Sequence, residues 1–116
     1  MRSALPSLDP LLHQPLRTQL AAFLSARGEA TFSELKSVLR ATDGNLDAHL
    51  NKLIEADYVE WRKEPVAGGR AQTTFSLTAT GRAALVAYVK ELTQLMALSG
   101  NALHAPRATP LKPAKC

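Results

Sequence analysis

The chain has 116 residues, 46% of them apolar, with 14 Lys and Arg against 10 Asp and Glu and a formal net charge of +4. That suits one small domain with one core and excludes a disordered chain. The single cysteine, Cys116, excludes an intramolecular disulfide and a four-thiolate zinc site. No run reaches the roughly 18 apolar residues of a membrane span, and no signal-peptide pattern opens the chain. The expected partners therefore do not include a membrane, and the expected location is the cytoplasm.

Residues 1–14 read as a turn-rich lead-in broken by Pro6 and Pro10. Pro15 suits the first position of a helix. Leu16, Leu20, Phe23 and Leu24 then fall on one helical face, and Gly28 ends it. Thr31-Phe32-Ser33-Glu34 has the form of a capping box, with Thr31 as cap and Glu34 three residues on. Phe32, Leu35, Val38 and Leu39 give the second helix its apolar face. After a short turn, Thr42 or Asp43 can cap a third helix running to about Ala56, with Leu46, Leu50, Leu53 and Ile54 turned inward.

The period then changes from 3.6 to two. Val59 and Trp61 alternate with polar neighbours, as do Thr73, Phe75 and Leu77. A hairpin tipped by Gly68-Gly69 pairs Val59 with Leu77 and Trp61 with Phe75, which puts all four apolar side chains on one face. In that register Trp61 is expected to pack between hairpin and body. Thr78 can cap a last helix to about Ser99, with Gly100 as its stop and Gly81 a mild weakness in its first turn. Leu85, Val89, Leu92 and Met96 form a short seam on that helix, suited to a second copy of the chain. The expected organisation is a lead-in (1–14), a core domain (15–78), a dimerisation helix (79–99) and a flexible basic tail (100–116).

Positive charge suggests a nucleic acid, but its placement qualifies that. Residues 1–98 carry 11 basic side chains against 10 acidic ones, a surplus of one. The other three basic residues, Arg107, Lys112 and Lys115, lie in the Pro-rich tail.

The order helix, helix, helix, hairpin, helix, with a tight turn between the second and third helices, has the form of a winged helix-turn-helix. The fold class expected is mainly α with a small β-hairpin: three-helix core, two-stranded wing, long C-terminal helix. Residues 8–96 resemble the winged-helix transcription regulators related to the MarR family, in particular its compact single-domain relatives. The resemblance rests on Leu8-Asp9-Pro10, on Arg17 within LRTQLAAFL, on TFSELK from Thr31, on GNLDAHLNKLIEADYVE from Gly44 and on LTATGRAAL from Leu77.

That resemblance implies a dimeric regulator of double-stranded DNA, with the third helix in the major groove and the wing on the backbone or in the minor groove. Asn45, Ala48, Asn51 and Lys52 are then the candidates for base contact, since Asn pairs with adenine and Ala meets a thymine methyl. Arg40 and Thr42 are candidates for the backbone at the turn, and Arg62, Lys63 and Arg70 for the wing. Arg17 reads as a structural residue. The resemblance also leaves room for a small-molecule effector. Nothing in the sequence calls for a cofactor or a metal, because His13, His49 and His104 are far apart and no Cys is near them. No nucleophile–base set or phosphate-binding glycine loop marks an enzyme. The competing reading is a winged helix that binds other proteins instead of DNA.

Overall fold

The computed structural model describes residues 7–104. Seven elements follow in chain order: α1 (Pro15–Arg27), β1 (Ala30–Thr31), α2 (Phe32–Leu39), α3 (Asp43–Glu55), β2 (Val59–Pro65), β3 (Ala71–Leu77) and α4 (Ala79–His104). Among the described residues, no helix is long and apolar enough to cross a membrane.

The helix boundaries are set by local chemistry. Pro15 opens α1 behind Gln14, whose side chain accepts from the Arg17 N–H. The Thr31 hydroxyl accepts from the Glu34 N–H, while the Glu34 carboxylate accepts from the Thr31 N–H, completing the capping box of α2. The Thr42 hydroxyl, 3.2 Å from the Asn45 nitrogen, caps α3. Asp57 ends α3 in a left-handed conformation, φ 65°, and the Tyr58 N–H then returns to the Leu53 carbonyl at 2.8 Å.

The hairpin of β2 and β3 has the register that keeps apolar side chains together, with Val59 opposite Leu77 and Trp61 opposite Phe75. Gly68 and Gly69 turn its tip at φ 103° and 86°. The sheet is three-stranded, in the order β1-β3-β2, because Ala30 and Thr31 pair with Phe75 and Thr74. Two residues carry no readable alternation, so β1 has no sequence signature. The core gathers Leu20 and Leu24 of α1, Leu35 of α2, Leu46, Leu50 and Leu53 of α3, Val59, Phe75 and Leu77 of the sheet and Tyr88 of α4. Leu12 of the lead-in is buried with them.

The end of α4 differs from expectation. Gly100 does not stop the helix, which continues to His104. A lone glycine costs a helix only about 1 kcal/mol relative to alanine, and the next proline is Pro106. The first residues of the expected tail, 100–104, are therefore helical, and residues 105–116 lie outside the described residues.

Among the polar contacts that tie down the lead-in, one reaches the start of the sheet. The Tyr58 hydroxyl donates to the Asp9 carboxylate at 2.5 Å, and that bond, with burial, pushes the phenol up to about 12. A folded-state pKa above the unfolded value of about 10 gives stability that is complete below pH 10 and lost as the pH rises toward 12. Tyr58→Phe is expected to cost about 1–2 kcal/mol at pH 8 in urea unfolding. The gap to wild type should close between pH 10 and 12; a gap of constant size across that range would show that the bond to Asp9 is unimportant.

Candidate nucleic-acid interface

The third helix is held by groups outside its own sequence. The Arg17 side chain donates from Nε to the Leu11 carbonyl at 2.6 Å and from Nη1 to His49 Nδ1 at 2.9 Å. His49 accepts that bond as a neutral imidazole. Burial first, then Arg17 and Lys52, hold its pKa below the usual histidine value. Arg17 is thus structural, joining lead-in, α1 and α3. At the other end Lys36 of α2 meets Asp43 at 2.8 Å across the helix-turn-helix turn.

With its Leu46–Leu50–Leu53 face buried, α3 turns Asn45, Ala48 and Lys52 to solvent at spacings of three and four, so they share one exposed stripe. Asn51 is exposed beside them, and its amide donates to the Asp47 carboxylate at 3.3 Å. Among the described residues Lys52 makes no ion pair. The Thr42 hydroxyl is engaged as the α3 cap but keeps its own proton to donate.

Arg40 closes α2 at φ 54° and ψ 44°, a left-handed conformation normally filled by glycine. Its side chain is exposed at the turn before α3. Holding an arginine there costs on the order of 1 kcal/mol relative to glycine, and the cap bonds of its N–H to the Lys36 and Ser37 carbonyls keep it in place.

The wing departs from the expected charge pattern. Arg62 is bound at 2.7 Å by both Glu29 and Glu64, which raise its pKa further. It sits on the face of the sheet away from α3, because alternate strand residues point to opposite faces. Sequence alone could not show this, since Glu29 lies 33 residues away. Lys63 and Arg70 make no ion pair among the described residues, and both are exposed.

Trp61 also departs from expectation. Its register partner Phe75 is only 7% exposed, yet Trp61 remains 52% exposed. It lines a cleft of about 380 Å³ between α3 and the wing. Residue alternation placed it on the inner face, but the separation of that face from α3 leaves it uncovered.

On α4 the expected dimer seam straddles two environments. Leu85 and Leu92 pack against the domain's own core. Val89 and Met96 face solvent at 52% and 64% exposure, and with Val86 they form an outward apolar stripe. A seam read from spacing alone could not tell the two apart, because the inward face is centred on Gly81, Ala84 and Tyr88.

A short helix, a tight turn, a second helix with an exposed polar stripe and a sheet-borne wing define a class, the winged helix. Residues 16–96 match the family model of the winged helix DNA-binding domain, and the chain belongs to that family. An uncharacterized protein of Methanocaldococcus jannaschii is 38% identical over 85 residues, which are 73% of this chain and 91% of that protein. A transcriptional regulator homologue from Pyrococcus horikoshii OT3 superposes with a TM-score of 0.69 at 30% identity, covering 80% of this chain and 89% of that one. The transcriptional repressor CouR, solved with a 23-mer DNA duplex, has the same fold, with a TM-score of 0.67 at 22% identity over 83% of this chain and 67% of that one. The chain is thus a winged helix DNA-binding domain, similar over most of its length to a transcriptional regulator homologue.

Proposed function

We propose that this protein is a homodimeric transcriptional regulator that reads a specific duplex DNA sequence. The carrying observation is the exposed stripe of Asn45, Ala48 and Lys52 on α3, entered through a turn where Arg40 is held in a left-handed conformation. That left-handed cap turns the Arg40 N–H back to the Lys36 and Ser37 carbonyls and leaves its side chain exposed at the turn before α3. In this reading α3 enters the major groove, with Asn45, Ala48, Asn51 and Lys52 at base edges. Arg40 and the Thr42 hydroxyl meet the backbone at the turn. Lys63 and Arg70 carry the wing's contacts to phosphate or minor groove, while Arg62, already bound by Glu29 and Glu64, contributes little.

Two protomers joined through α4 would address half-sites about one helical turn, roughly 10 bp, apart. The proposed place of action is the cytoplasm. A small-molecule effector rests on the family resemblance alone. The near-neutral body and Asp47 on α3 favour a second reading, a protein-binding winged helix.

Selection of bound sequences from a random duplex library tests the assignment. Asn51→Ala is expected to lose base preference at one position of each half-site, about a tenfold loss of discrimination. Arg70→Ala is expected to weaken binding to all duplexes alike and to lower the salt slope by about one. A protein that selects no sequence at low salt, but captures a partner through the Asn45–Asn51 face, would support the second reading and remove the first.

A further inference from the structure

We infer that the cleft between α3 and the wing seats one strand of the duplex, with Trp61 packed on a deoxyribose and Lys63 and Thr73 holding the adjoining phosphate. This rests on the DNA-binding reading above, which already gives Lys63 a backbone contact, and adds Trp61 and Thr73 to it.

The cleft is built as a seat with two kinds of wall. Leu50 of α3 and Phe75 of β3 make it apolar at depth, and Trp61 offers a half-exposed indole. A large aromatic side chain left uncovered in a concave surface gains by taking an apolar partner, and a sugar ring offers one whatever the base. Lys63 and Thr73 are register partners on β2 and β3, and both line the cleft. Cross-strand partners lie within about 5.5 Å at their Cβ atoms, so an ammonium and a hydroxyl stand side by side. That pair suits a phosphate oxygen.

The opposite wall carries Asp47 and Asn51, with the Asp47 carboxylate accepting from the Asn51 amide at 3.3 Å. A phosphate is repelled by that carboxylate and is therefore confined to the sheet side. The geometry agrees with the occupant. If α3 fills one groove and the wing tip reaches the next, the strand dividing those grooves crosses between them, over this cleft. Charge distinguishes Lys63 from its neighbour, since Arg62 points the other way and is held by two carboxylates.

Trp61 is the only tryptophan of the chain, so its emission reports on this cleft alone. The full chain is titrated with its selected duplex while an end label on the DNA reports binding independently by anisotropy. Trp61 emission is expected to change along the same isotherm, with random duplex as well as with the selected one, because a sugar contact carries no sequence information. Trp61→Ala is expected to weaken both complexes about tenfold, as loss of a half-buried indole surface would. Thr73→Val should weaken them by about threefold without altering the salt slope, and Lys63→Met should lower that slope by about one. Trp61→Phe, with thermal unfolding as the control, should keep most of the affinity.

Binding seen by anisotropy with Trp61 emission unmoved, and with Trp61→Ala equal to wild type, overturns the seat and leaves the DNA reading intact. Emission that responds to a small aromatic compound but not to duplex likewise overturns it. Absence of binding to any duplex at low salt overturns the underlying reading instead.

Discussion

Gly81→Ala is expected to destabilise the domain by about 3 kcal/mol and to lower its Tm by more than about 10 °C. Helix propensity predicts the opposite sign, since alanine is favoured over glycine within a helix by about 1 kcal/mol. The tertiary contact reverses it. A Cβ at residue 81 would stand 2.8 Å from the Tyr58 carbonyl carbon and 2.9 Å from its Cα, and closer still to the carbonyl oxygen. These are backbone atoms and cannot swing aside. They are also fixed, because the Thr78 N–H donates to the Tyr58 carbonyl at 3.0 Å and the Thr78 hydroxyl to the Asp57 carbonyl at 2.6 Å. The same hydroxyl accepts from the Gly81 N–H at 2.9 Å. The start of α4 is thus laid directly on the turn between α3 and β2, with glycine the only residue that fits. Calorimetry of the variant decides the matter; an unchanged or raised Tm would show that α4 does not approach Tyr58 so closely.

Val89→Glu is expected to convert a dimer to monomers without unfolding the protein. Val89 is half exposed in the single chain, so the monomer should change by no more than about 0.5 kcal/mol. In the proposed dimer the charge would enter an apolar interface formed with Val86 and Met96 of each copy. Losing the link between two half-sites removes their effective concentration, so affinity for a two-half-site duplex should fall about 100-fold. Affinity for a single half-site should stay as it was. Light scattering together with binding to both duplexes separates the effects. A variant that remains dimeric moves the interface off this stripe, and a monomeric wild-type protein removes the dimer from the proposal.

Much of the fold was legible because it depends on local rules. The capping box at Thr31, the leucine spacing of α3, the Gly68-Gly69 tip and the pairing of Trp61 with Phe75 each involve neighbours in sequence or a strict alternation. Features that escaped depend on distant partners. The two-residue β1 exists only because β3 has an open edge beside it. Arg62 looked available until Glu29 was brought to it. The four-residue seam on α4 was one stripe by spacing and two environments by packing. Gly100 resembled a stop signal, but nothing after it forbids a helix before Pro106.

Sequence alone determined the kind of protein: a +4 chain whose folded body is nearly neutral, built as three helices, a wing and a long helix. Hydrophobic periodicity and capping fix those elements within a few residues of chain, so no tertiary knowledge is needed to find them. Tertiary structure decided which charges remain free to meet a ligand. Glu29, in the connection after α1, joins Glu64 of β2 in pairing Arg62, His49 accepts from Arg17, and Lys63, Arg70 and Arg40 are left exposed without an ion pair among the described residues. An ion pair depends on separation in space, which a list of residues does not contain.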